Sequence, residues 1–63
     1  MQKFKVSAWP KDPAKLKYEP EWEEIISANL LGDALEQGEV LFDSYCKEHG
    51  LVFEDFEVRS GTP

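Results

Sequence analysis

Between Leu30 and His49 apolar side chains recur at every third or fourth position, and this stripe constrains the fold more than any other feature. Leu31, Ala34, Leu35, Gly38, Leu41, Phe42, Tyr45, Cys46 and His49 share one face of a helix, while Asp33, Glu36, Glu39, Asp43 and Lys47 lie off it. Asn29 is the expected N-cap. Asp33 and Glu36 suit the positive end of the helix dipole, and Gly50 follows Lys47 and His49 as a natural left-handed residue at the end. Gly38 costs about 1 kcal/mol relative to alanine inside a helix, so it is expected where the helix sits close on its neighbour.

A helix with one apolar face needs a second layer to cover it. Phe4, Val6 and Ala8 alternate with Lys3, Lys5 and Ser7, the pattern of a half-buried strand over residues 3–9 that Pro10 stops. Residues 51–59 read as the last strand, with Phe56 and Val58 flanking Glu57. Strict alternation fails between Leu51, Phe53 and Phe56, which points to a bulge at Glu54-Asp55.

Residues 21–29 admit two readings. As a strand they turn Trp22, Ile26 and Ala28 inward, with Glu24 an exception. As a helix they start at Pro20 and present Trp22, Ile25, Ile26 and Leu30, with Gly32 as the cap and Asp33-x-x-Glu36 opening the next helix. The strand is preferred, because a sheet of only two strands is marginal. The expected fold is therefore α+β, one helix packed on a small, mainly antiparallel sheet in ββαβ order, with βααβ as the alternative. Leu35, Leu41, Phe42 and Tyr45 are expected to pack on Phe4, Val6, Phe56 and Val58. Pro10 to Pro20 reads as a loop holding three prolines and three lysines, a length often found at functional sites.

Sixty-three residues suffice for one domain, expected to span 1–63, and an apolar share of 41% with eight aromatic residues argues against disorder. A core this small stabilises by only about 3–5 kcal/mol unless something else helps. Cys46 is the only cysteine, so no internal disulfide forms, and a zinc site lacks ligands. A homodimer would add buried surface. No apolar leader and no membrane-length apolar run are seen, and the single thiol suits a reducing compartment, so a cytoplasmic location is expected.

Catalytic chemistry finds little support. Cys46-x-x-His49 sets a thiol and an imidazole one helical turn apart, but both fall on the apolar stripe, and a buried cysteine with a helix-terminal histidine explains them. The neighbours Glu23-Glu24 and Glu54-Asp55 make a poor acid–base pair, because adjacent strand residues point to opposite faces. No phosphate loop or metal-ligand spacing exists, so no enzyme activity, cofactor or metal is expected.

Charge is the remaining lead. Residues 1–17 carry five lysines against Asp12, a net +4, while residues 18–63 carry twelve acids against Lys47 and Arg59, a net −10. The lysines, with Trp9 and Tyr18 nearby, could touch a phosphate backbone, but the acid excess repels nucleic acid, and direct binding is not expected. The candidate binding residues are acidic: Glu36, Glu39 and Asp43 along one helix flank, Glu21, Glu23 and Glu24 before the helix, and Glu54, Asp55 and Glu57 after it. Carboxylates held at separations of several ångströms on a rigid frame can imitate a run of phosphates and meet Arg and Lys in a groove built for nucleic acid.

In size, acidity and compact α+β plan, and in stretches such as Glu19-Pro20-Glu21-Trp22-Glu23-Glu24, the chain resembles small acidic phage-encoded inhibitors, including anti-CRISPR proteins that act as DNA mimics. That resemblance implies a partner protein with a basic surface, such as a nucleic-acid-binding effector, met in the host cytoplasm. The alternative is a small homodimeric or antitoxin-like regulatory or structural subunit.

Overall fold

The computed structural model describes residues 1–63 and arranges them in two layers, one helix on a three-stranded antiparallel sheet. Strand β1 (Gln2–Pro10) is followed by a loop, strand β2 (Trp22–Ala28), helix α1 (Leu31–His49) and strand β3 (Phe56–Gly61). This is the ββαβ order expected, and 22–28 is a strand.

β1 lies in the middle of the sheet, in the order β2-β1-β3, and both neighbours run antiparallel to it. β2 and β3 are therefore parallel to each other, and α1 links them in a split β–α–β crossover. Phe4 pairs with Ile26, Val6 with Glu24 and with Ser60, and Ala8 with Trp22 and with Val58. Paired residues share a face, so these side chains form the surface on which the helix lies.

The helix meets that surface along a narrow line. Ala34, Gly38, Phe42 and Cys46, four residues apart, are the buried helical positions. A β-carbon at Gly38 would stand 2.3 Å from Val6 Cγ1, so the closest approach falls at the glycine, as its place in the stripe suggests. Ser60 Oγ donates to the Leu31 carbonyl at 3.4 Å, and the Tyr45 hydroxyl meets Glu21 Oε2 at 3.3 Å. These two bonds tie the first residue of the helix to β3 and its later turns to the residue before β2.

Phe42, with no exposed surface, is the centre of the core. The rings of Phe56, Trp22, Phe53 and Tyr45 surround it at centroid distances of 5.2–5.8 Å. Phe4, Val6, Ile26, Ala28 and Ala34 form the other half of the core, and Val58 and Trp22 join the halves.

Four expectations need correction. Leu41 is 48% exposed and Leu31 49%, because Leu31 opens the helix ahead of the buried line Ala34–Cys46 and Leu41 falls about 100° of rotation from Phe42, at the margin of that line. Leu35 is half-buried at the margin. The N-cap is Leu30 rather than Asn29, and no side chain caps the helix; the first bond runs from Ala34 N–H to the Leu30 carbonyl. Lastly, β3 starts only at Phe56. Phe53–Asp55 is a 3₁₀ turn rather than a bulged strand, and that turn brings Phe53 back onto Phe42.

Gly50 ends the helix as expected, with φ 69°. Its N–H and that of Leu51 both donate to the Cys46 carbonyl, while the Leu51 side chain packs beside Cys46 and Phe42. No helix is long and apolar enough to cross a membrane.

Candidate functional site

The nine acidic candidates are exposed or half-exposed, but the fold divides them among four surfaces. Glu36, Glu39 and Asp43 keep together. Their spacing of three and four residues sets them on one flank of α1, pointing away from the sheet, with Asp33 and Glu48 also on the exposed side of the helix. Lys47 Nζ lies 3.2 Å from Asp43 Oδ2, a surface pair worth only about 0.3–0.5 kcal/mol. Glu36 and Glu39 meet no cation of the chain.

Strand geometry separates Glu23 from Glu24. Glu23 stands on the sheet face that carries no helix, 3.5 Å from Lys5 Nζ. Glu24 is on the helix side, opposite Val6, yet remains exposed because β2 is an edge strand. Glu57 is on the helix-free face too, 3.0 Å from Arg59. That face holds Lys3, Lys5 and Arg59 beside Glu23 and Glu57, so its charge is nearly balanced. Neither Glu23 nor Glu57 belongs to an acidic patch.

The fourth group gathers around the C-terminal half of α1. Glu21 accepts the Tyr45 hydroxyl, and Glu54 and Asp55 ride on the 3₁₀ turn that follows the helix. Burial of Cys46, and after it the carboxylates of Asp43, Glu21 and Glu54, push the thiol above its ordinary range. One buried sulfur thus feels acids from three separate segments. Partial burial and then Glu21 likewise hold the Tyr45 phenol above its usual value.

Beside this group runs a cleft of about 550 Å³, between the 11–21 loop and the 50–56 turn. Leu51 and Phe56 contribute apolar wall, Glu19, Glu21 and Asp55 contribute acid, and Lys15 and Lys17 stand on the loop. None of these five charges is ion-paired within the chain. Sequence reasoning left Glu19, Lys15 and Lys17 out of the candidate set. The signal for them was the proline-bounded loop, held in place by the Asp12 side chain accepting Ala14 N–H and by Lys11 N–H donating to the Asp55 carbonyl.

Cys46 and His49 do not face one another. Cys46 is buried in the core, whereas His49 is exposed and its ring lies 4.2 Å from that of Tyr45. No three of the His, Cys, Asp and Glu side chains come together as metal ligands. Neither a family model, nor a curated protein, nor a solved structure matches the chain, so its surface chemistry must carry the functional reading.

Proposed function

We propose that the protein binds and blocks a basic, nucleic-acid-binding site on a partner protein, with the outer flank of α1 as the principal contact. The observation that carries this reading is the set of uncompensated carboxylates on a rigid element. Three of the thirteen acids are ion-paired, and Glu36 and Glu39 are not among those three. Glu36, Glu39 and Asp43 span about 10 Å of helix axis, a charge density along the axis of the same order as one DNA strand, which carries one phosphate per about 3.4 Å of axis. Because α1 is seated on β1 through Gly38, these groups need little ordering when they dock. Glu21, Glu54 and Asp55 extend the acidic surface past the end of the helix.

Salt and charge reversal test the reading. Complexes between the immobilised chain and its captured partner should dissociate as ionic strength rises and when duplex DNA is added. Glu36→Lys with Glu39→Lys should abolish binding, while the fold stays within about 0.5 kcal/mol of wild type, since both side chains face solvent. A partner that ignores salt, DNA and the reversals, and that is lost instead on replacing Tyr18 or Trp9, refutes the proposal.

A further inference from the structure

The two edges of the sheet differ in how they treat an incoming strand. An exposed edge offers unpaired backbone groups, and proteins commonly protect it with inward-pointing charges, prolines or bulges. β2 is protected in this way: Glu24 stands on its helix side, where an added strand would have to bury the carboxylate. β3 has no such device. Its pairing with β1 runs without a bulge from Pro10↔Phe56 to Lys5↔Gly61, its helix-side residues are Phe56, Val58 and Ser60, and no strand lies beyond it.

β3 also carries a charge pattern that is complementary to itself. Glu57 and Arg59 flank Val58 symmetrically on the helix-free face. We propose that a second copy of this chain pairs with β3, antiparallel and about a twofold axis centred on Val58. In that register Val58 faces the partner's Val58 on the helix side, and Phe56 faces the partner's Ser60. Glu57 faces the partner's Arg59, twice by symmetry, so each ion pair now formed within a strand becomes part of a four-charge ring. The outward backbone groups of β3 belong to Phe56, Val58 and Ser60, since Glu57 and Arg59 bond to β1. A centre at Phe56 would set Glu57 opposite the partner's Asp55, and one at Ser60 would set Arg59 opposite the partner's Gly61, so charge selects the register centred on Val58. The product is a continuous six-stranded sheet with both helices on one face.

Glu57 and Arg59 lie on the opposite layer from the Glu36–Asp43 flank, so the dimer and the partner-binding surface stand or fall separately. A six-residue strand edge is a small interface, and the association should be weak and concentration-dependent.

Sedimentation velocity over a range of protein concentrations tests this, with circular dichroism confirming each variant as folded. Wild type should pass from monomer to dimer. Glu57→Arg alone and Arg59→Glu alone should each weaken the dimer by about tenfold or more, since each sets like charges opposite one another. The double variant E57R/R59E rebuilds the pattern with its signs exchanged and should dimerise again, and the two single variants mixed together should form a heterodimer. A wild-type chain that stays monomeric throughout overturns the proposal. So does a dimer indifferent to the single reversals, or a folded double variant that stays monomeric.

Discussion

Replacing Gly38 by alanine should destabilise the protein even though alanine is the better helix former. In isolation the change gains about 1 kcal/mol of helix propensity. Here the new methyl would lie 2.3 Å from Val6 Cγ1, 3.0 Å from its Cβ and 3.3 Å from its Cγ2. Carbon atoms in contact sit about 3.5–4.0 Å apart, so α1 must lift from the sheet by an ångström or more. Val6 is fully buried in the central strand and has nowhere to retreat. Overpacking of this kind costs about 1–3 kcal/mol, and the severity of the overlap points to the upper end. The net loss is then about 1–2 kcal/mol, or a fall in Tm of roughly 5–15 °C for a domain of this size.

The diagnostic measurement is a double-mutant cycle by urea unfolding, with sucrose present throughout to keep the weakest variant folded. Val6→Ala is destabilising by itself, but it removes both γ carbons and leaves the Cβ contact at 3.0 Å, which a small shift relieves. In that background Gly38→Ala should cost nothing or stabilise, giving a coupling of about 2 kcal/mol, well above the 0.3–0.5 kcal/mol expected of independent sites. Gly32, in the first turn of α1 with no atom within 4 Å of an added methyl, is the control, and Gly32→Ala should stabilise by up to about 1 kcal/mol. A Tm that rises with Gly38→Ala, or the same cost in both backgrounds, refutes the close-approach argument.

Phe42→Ala removes the ring at the centre of four other aromatic side chains and should cost about 3–5 kcal/mol, enough to unfold the chain at room temperature; a thermal melt within a degree or two of wild type would disprove the core assignment. Alkaline stability should follow Cys46 and Tyr45, whose folded values lie above their unfolded ones, so the unfolded state gives up these protons first. Their stabilisation is complete below about pH 8.5 and is lost as pH rises, first through the thiol and then the phenol. Cys46→Ala should remove the first part of that decline in urea midpoints measured against pH, and an unchanged profile would count against the buried, acid-surrounded thiol.

Much of this architecture is legible in the sequence because it is written in local periodicity. The alternation around Phe4, Val6 and Ala8, the stripe from Ala34 to Cys46, the left-handed Gly50 and the close approach at Gly38 each depend on spacing within a few residues, and each is found in the structure. The 22–28 strand was legible less directly, since Glu24 breaks its alternation; its place at an edge of the sheet, where an inward carboxylate still reaches water, explains the exception. What tertiary structure alone decided is which positions end up as neighbours. Leu41 shares the helical stripe with Phe42 but lies at the margin of the narrow line that meets the sheet, so one is half exposed and the other fully buried. Nine acids that look like three runs along the chain become four surfaces, and Glu23 and Glu57 are neutralised by Lys5 and Arg59. The self-complementary edge exists only because β1 takes the centre of the sheet and leaves β3 outside. Spacing along the chain sets which face a side chain takes, whereas strand order and the seating of the helix on the sheet set what that face meets, and those arise from contacts between residues far apart in sequence.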